Sequence, residues 1–169
     1  RQLVYDSYKE ETYSRGLNVY TTVQQDHQNA AYEALRSGII DYDRRHGYRG
    51  PEAFIDLPDG IESNADKLNE LLDDTLNNHP DDDNLVAAVV LQADAKKVVA
   101  ARSADEIVEI TGAGLKVVQA SLSDKAQPAR RIRRGAVVRL MHTGKTWEIL
   151  QIPTVQAAFV SVDPTDGAI

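Results

Sequence analysis

LVAAVVLQADAKKVVAARSADEIVEI (residues 85–110) and AVVRLMHTGKTWEILQI (residues 136–152) decide how this chain folds. The first holds three runs of strand length, Leu85 to Gln92, Lys96 to Ala101 and Glu106 to Ile110, with alternation clearest at Ile107, Val108 and Ile110. Turn residues at Ala93-Asp94 and Ser103-Ala104-Asp105 separate them. The second holds two more strands, Ala136 to His142 and Thr146 to Ile152, around the turn Thr143-Gly144-Lys145. Between the two stretches Thr111-Gly112-Ala113-Gly114 breaks the pattern. Leu115, Val117, Val118, Ala120 and Leu122 then fit either a strand or one short helix, the run being too brief for its period to decide.

About 70 residues with five strands, at most one short helix and Greek-key-like spacing suit a small closed barrel of the OB type; a small sandwich is the structural competitor. Upstream, Ser63 with Asp66 reads as the start of a helix with Ala65, Leu68, Leu71, Leu72 and Leu76 at helical spacing, ending near His79-Pro80. From Pro51 to Gly60 the chain reads as loop. Before it, Thr22 with Gln25 has the form of a capping box. Val23, Ala30, Ala31, Ala34, Leu35, Ile39 and Tyr42 share one side of the helix that follows, which is expected to bury that side and stop at Gly47. Leu17 to Thr21 alternates as a short strand, and residues 1–15 read as a polar loop or arm.

The chain's 169 residues suffice for one ordinary domain, or a small one with appendages. With 42% apolar and 27% charged residues it is globular. Nineteen Lys and Arg against twenty-six Asp and Glu leave a net charge of −7, which argues against gripping phosphate backbones, so nucleic acid is not an expected partner. The absence of cysteine removes disulfides and thiol chemistry. No apolar run approaches the roughly 18 residues of a membrane span. All seven tyrosines fall between Tyr5 and Tyr48, a compositional break that points to more than one folding unit. Both ends read as cut. Arg1 is not a start methionine, and Gln156 to Val162 followed by Asp163-Pro164-Thr165-Asp166-Gly167 is one strand and turn of a hairpin whose partner strand is missing; the alternative is a natural C-terminus with a frayed tail.

Catalytic constellations do not assemble. Gly144-Lys145-Thr146 matches the tail of a phosphate-binding loop, but Arg139 stands where its first glycine belongs. Gly112-Ala113-Gly114 lacks the third glycine of the dinucleotide fingerprint, Val117 being there instead. His27, His46, His79 and His142 are scattered without metal-ligand spacing, and the acidic run Asp81-Asp82-Asp83 lacks the glycine and closing glutamate of a calcium loop. No catalytic, metal or cofactor-binding residue is therefore assigned, and no cofactor is expected. Arg130, Arg131, Arg133 and Arg134 around Ile132 are the one strong local field, with Lys145 near them as a candidate docking surface for phosphate, an anionic polymer or an acidic protein face. The plainer reading is a solvated strand edge whose charge discourages edge-to-edge pairing. Trp147 reads as a barrel-end filler rather than a stacking platform.

Two segments resemble a known family. Residues 16–23 (GLNVYTTV), with 28–35 (QNAAYEAL), are similar to the strand and helix that join the catalytic domains of class A penicillin-binding proteins. Residues 42–51 (YDRRHGYRGP) resemble the Gram-negative 1A subgroup in particular, and residues 158–169 (AFVSVDPTDGAI) the opening hairpin of its transpeptidase domain. Gln24-Gln25 and His27 depart from the family's usual residues at surface-like positions.

The resemblance implies an α+β piece: residues 1–50 a linker strand and helix at the transpeptidase edge, 51–83 a loop and short amphipathic helix, 84–154 a five-stranded OB-like β-barrel, and 155–169 the first, truncated hairpin strand. It implies a non-catalytic regulatory region of a bifunctional peptidoglycan glycosyltransferase and DD-transpeptidase, whose catalytic motifs lie outside this chain. It also implies a periplasmic location in an inner-membrane-anchored parent, flanking glycosyltransferase and transpeptidase domains, and an outer-membrane lipoprotein activator as partner. Leu17 to Thr21 and Ala158 to Val162, belonging to one family domain, are expected to pair as strands. The alternative from the residues alone is an OB module binding single-stranded nucleic acid or anionic glycan.

Overall fold

A computed structural model describes every residue except Arg1 and Lys145, and the chain divides into two compact units. One comprises the residues up to Arg36 together with Ala158–Ile169; the other is Ser37–Ala157.

The first unit opens with α1 (Gln2–Tyr8) and α2 (Glu11–Ser14), neither of which buries a residue. The polar arm expected over residues 1–15 is thus two short helices. The rings of Tyr5 and Tyr13 meet at 6.0 Å. Leu17 to Thr21 and Ala158 to Val162 are both irregular, so the expected strand pairing does not form. A strand exists through its ladder, and among the described residues neither segment has a neighbouring strand to extend. What joins the segments is Thr22, whose Oγ1 donates to the Ile169 carbonyl at 2.9 Å and accepts the Ile169 N–H at 3.2 Å. That role takes Thr22 away from the expected capping box. Helix α3 (Gln25–His46) instead begins with Gln28 N–H donating to the Gln24 carbonyl. Its expected buried side is mostly bare. Val23, Ala30, Ala31 and Ala34 line a trough of about 620 Å³ with Phe159 and Val160, and the residues α3 buries are Ile40 and Asp43.

In the second unit the order is β1 (Ala53–Phe54), α4 (Ala65–Leu76), β2 (Val86–Ala93), β3 (Lys97–Ala101), β4 (Ile107–Thr111), β5 (Ala136–Thr143) and β6 (Thr146–Leu150). All strand pairs are antiparallel. β3 lies between β2 and β4, β2 pairs with β5 on its other side, and β1 and β6 share the far edge of β5. Two 3-10 turns, Gly112–Leu115 and Gln119–Leu122, occupy the stretch whose period was undecided. The closed five-stranded barrel expected from the sequence is instead an open six-stranded sheet. β4 and β6 curl toward each other without a ladder, and the turn Gly112–Leu115 packs against β6. Gly114 sits so tightly there that a Cβ would lie 2.1 Å from the Trp147 carbonyl oxygen. β1 lies in the stretch expected to be loop, because its two residues pair with Ala136 and Val137.

Both faces of the sheet are buried, which is why residues 85–91 read as a continuous apolar run instead of an alternating one. Ala88, Val90, Val98, Ala100, Ile110, Val138, Leu140 and Ile149 point into the concave side, closed by Leu115, Val118, Leu122 and Ile132. Trp147 packs against this core and meets His142 edge-on at 5.1 Å. On the opposite face, Val89, Leu91, Ala101 and Val137 lie under Leu68 and Leu72 of α4. Each of those leucines contributes about 1.5–3 kcal/mol by burial. The cap of α4 is Asn64, whose Oδ1 accepts the Lys67 N–H at 3.1 Å; Ser63 is consumed by a preceding 3-10 turn, Ile61–Ser63. The outer side of α4 carries Asp66, Glu70, Asp73 and Asp74, all exposed. Among the described residues no helix is long and apolar enough to cross a membrane.

Candidate functional site

Where α3 ends, a polar clamp ties the start of the second unit to its finish. Gly47 takes φ +83, a conformation that terminates the helix and turns its carbonyl toward β6. Gln151 Nε2 donates to that carbonyl at 2.9 Å and to Asp43 Oδ2 at 2.6 Å. The Arg49 N–H donates to Gln151 Oε1 at 2.7 Å, and its guanidinium reaches Asp43 Oδ1 and the Ile152 carbonyl, each at 2.7 Å. Asp43 and Gln151 are nearly fully buried, so the bonds they make satisfy groups with little access to water, while the Arg49 bond to the Ile152 carbonyl lies at the surface. Arg44 adds a link from α3 to Glu148 at 2.6 Å. Below the clamp, Ile40 packs with Leu85, Met141 and Leu150. The chain therefore enters and leaves the sheet at one place.

A second buried ionic group fastens β5 to the segment before β1. Arg139 is 2% exposed; its Nε and Nη2 donate to Glu52 Oε1 and Oε2 at 2.7 and 2.8 Å, and its Nη1 to the Pro80 carbonyl at 2.8 Å. His79 Nδ1 lies 3.0 Å from the same carboxylate. Burial alone would raise the Glu52 pKa, but the Arg139 and His79 contacts outweigh it and hold the carboxyl below its ordinary value. Burial, with the Glu52 charge nearby, pushes the Tyr48 phenol well above its usual range. The signal for Arg139 was in the sequence: an arginine inside an apolar strand needs a carboxylate partner.

The arginines of the candidate docking surface lie in an irregular segment before β5, not on a strand edge. Ile132 is plugged into the concave core with its N–H on the Ser121 carbonyl at 2.8 Å, and the arginines splay around it. Arg134 acts as a fastener: it bonds Glu62, the Leu91 carbonyl at 3.1 Å and the Pro58 carbonyl at 3.0 Å, and it holds the Glu62 carboxyl below the usual range. Arg131 pairs with the exposed Asp124. Arg133 lies over the Phe54 ring at 4.7 Å, and Arg130 is exposed beside Gly50. Lys145 lies outside the described residues. The structure thus splits the arginines: Arg134 is structural, while Arg130 and Arg133 keep their charge free of any carboxylate in the bonds observed. Lys125, which sequence reasoning passed over, joins Arg131, Arg133 and Arg134 along a groove of about 820 Å³ with Leu91, Gln92 and Ala93. Among the described residues no group of His, Asp and Glu is placed to hold a metal.

The penicillin-binding protein OB-like domain matches residues 48–155. Over its whole length the chain is 39% identical to penicillin-binding protein 1A of Neisseria lactamica and 34% identical to that of Escherichia coli, covering 21% and 20% of them. It thus spans about a fifth of the length of the curated relatives it matches. The crystal structure of penicillin-binding protein 1A from Haemophilus influenzae shares the fold over 90% of this chain and 21% of that chain, with a TM-score of 0.58 at 24% identity. With the family's domain filling the sheet unit from Tyr48 onward, and relatives aligned from end to end, the chain belongs to the penicillin-binding proteins and carries their OB-like domain.

Proposed function

We propose that this chain is a non-catalytic spacer and docking region of a bifunctional peptidoglycan glycosyltransferase and DD-transpeptidase engaged in cell-wall synthesis. The observation that carries the reading is the Asp43, Arg49 and Gln151 clamp. By joining the point where the chain enters the sheet unit to the point where it leaves, it suits a domain inserted into a larger one without displacing its host's strands. Residues 1–50 and 155–169 are then edges of the transpeptidase domain, 51–83 a covering loop and helix, and 84–154 the insert, whose curled sheet we read as an incompletely closed OB barrel. The parent is anchored in the inner membrane, with this region in the periplasm. Arg130 and Arg133 offer the docking surface, and an outer-membrane lipoprotein activator is the partner.

Two features favour this over a polymer-binding OB module. α4 packs over Val99 and Ala101 of β3, one of the two strands whose outer face takes oligonucleotides or oligosaccharides in OB barrels. Residues 51–83 also carry eleven acidic side chains against one lysine, a field that repels polyanions. Fluorescent penicillin tests the non-catalytic part. With full-length Neisseria lactamica penicillin-binding protein 1A as positive control, this chain is expected to stay unlabelled; a covalent adduct on it overturns the reading.

A further inference from the structure

The segment from Gly50 to Ile55 and the segment before β5 lie against each other at three points. Gly50 has φ +123, and a Cβ there would lie 2.9 Å from the Ala129 carbonyl oxygen, so the turn that carries Arg130 rests directly on its backbone. Arg133 stacks over the Phe54 ring at 4.7 Å. The Ile55 N–H donates to the Gly135 carbonyl at 2.8 Å. The arginine segment is pinned again on its own side. The Arg130 N–H bonds the Gln127 carbonyl at 2.9 Å, Ile132 is buried with its N–H on the Ser121 carbonyl, and the Arg134 guanidinium holds the Pro58 and Leu91 carbonyls. Ala53 and Ile55 pack into the core beneath α4, so Phe54 faces the other way, away from that acidic helix, and stays 37% exposed.

The arginines beside this ring differ in what holds them. Arg131 and Arg134 are spent on Asp124 and Glu62, whereas Arg130 and Arg133 meet no carboxylate in the bonds observed. Stacking uses the flat face of the Arg133 guanidinium and leaves its in-plane N–H groups to grip a carboxylate with two parallel bonds. An exposed aromatic ring beside free guanidiniums on a fixed backbone has the composition of an interface centre, and the fixed backbone lowers the ordering cost of binding. We propose that Arg130, Arg133 and Phe54 anchor a protein-docking surface whose occupant is a folded acidic partner, which sets a carboxylate on each guanidinium and an apolar side chain against the Phe54 ring. This rests on the arginine docking surface proposed above, and assigns it an aromatic anchor and the chemistry of its partner. A nucleic acid or glycan strand would meet two free guanidiniums and one ring already covered on one face by Arg133. Such polymers need a run of cations and a succession of open rings.

The test titrates the isotope-labelled 169-residue chain with an Ala-based helical peptide of about 15 residues, bearing Glu, Leu and Glu at positions i, i+3 and i+4, which share one face. Shifts are expected at the Nε–H groups of Arg130 and Arg133 and at the amides of Phe54 and Arg133. Arg133→Lys keeps the charge and loses the fork, and is expected to weaken binding by about tenfold; Arg130→Gln is expected to cost about as much. Phe54→Leu keeps an apolar side chain on β1 and its pairing with Ala136, and is expected to cost about threefold, as is the same peptide with Ala for Leu. Fluorescent penicillin applied to the same preparation reports separately on the non-catalytic reading. Undiminished binding by Phe54→Leu, or by the Ala-for-Leu peptide, overturns the aromatic anchor and leaves the arginine surface standing. Four results overturn the proposal altogether: equal binding of a peptide with Gln for both Glu, displacement of the peptide by an equal concentration of inorganic phosphate, tighter binding of an oligonucleotide or a glycan strand at the same residues, or no shift at Arg130 and Arg133.

Discussion

Replacing Glu52 by Gln removes one charge from the most buried ion pair of the sheet unit. Arg139 would keep the Pro80 carbonyl and one amide oxygen, with 2% of its surface in solvent. Breaking a fully buried pair by removing one partner costs about 3–5 kcal/mol, because the surviving charge is left uncompensated. The Glu52 side chain is 25% exposed, so water retains access to that side and the cost falls below that range, to about 2–3 kcal/mol. In urea, with a slope of about 2 kcal/mol per molar, the unfolding midpoint should fall by about 1 M with the slope unchanged. Removing both charges with apolar residues of similar volume, Glu52→Leu with Arg139→Met, should restore stability to within about 1 kcal/mol of the parent. A Glu52→Gln midpoint within about 0.2 M of the parent, or a double variant as damaged as the sum of the singles, would refute the view that the pair works by compensating a charge the fold has buried.

Acidification should act through the same carboxylate. Its folded pKa is depressed, so its contribution is present above its ordinary value of 4.5 and is lost as pH falls through the folded value; Glu52→Gln should flatten that part of the stability profile, measured by urea midpoints at stepped pH. Leu72→Ala, on the sheet-facing side of α4 with no exposed surface, should cost about 2–5 kcal/mol, whereas Asp73→Ala beside it should stay within about 0.5 kcal/mol in the same assay. Gly135→Ala forces a side chain at φ +82 against the Ile55 carbonyl oxygen, and should lower the thermal midpoint by more than about 6 °C, by calorimetry.

The strands of the sheet were legible because each apolar run is closed by turn residues, and the observed β2 to β6 fall within about two residues of the runs read from sequence. What period could not convey was closure. β4 and β6 share no ladder, and the turn at Gly112–Leu115 packs against β6, with Gly114 tight on the Trp147 carbonyl oxygen. Leu17 to Thr21 has strand chemistry and no ladder, since alternation marks a strand's preference and only a neighbour makes it one. Thr22 and Ser63 were plausible caps drawn off by other bonds: Thr22 bonds Ile169 at the far end of the chain, and the 3-10 turn Ile61–Ser63 takes up Ser63 and leaves Asn64 as the cap. The arginine cluster was visible as charge, but its division into a fastener, an exposed pair and two free guanidiniums depends on Glu62, Asp124 and Phe54, two of them more than 60 residues away. The clamp was hidden for the same reason. Asp43 and Arg49 sit in the stretch that carried the family resemblance, yet their bond to Gln151 crosses the whole sheet unit in sequence.

Excision of the domain tests the central claim most directly. The Arg49 guanidinium reaches the Ile152 carbonyl and the Arg49 N–H the Gln151 side chain, each at 2.7 Å, so the flanking backbones lie within one side chain's reach, a span that a turn of about four residues can cover. In full-length Neisseria lactamica penicillin-binding protein 1A, the segment matching residues 49–152 is replaced by such a turn, and covalent labelling by fluorescent penicillin is followed over time. The account predicts a labelling rate close to that of the intact protein, because the excised part only spaces and docks. A folded, excised protein that no longer takes the label would contradict it.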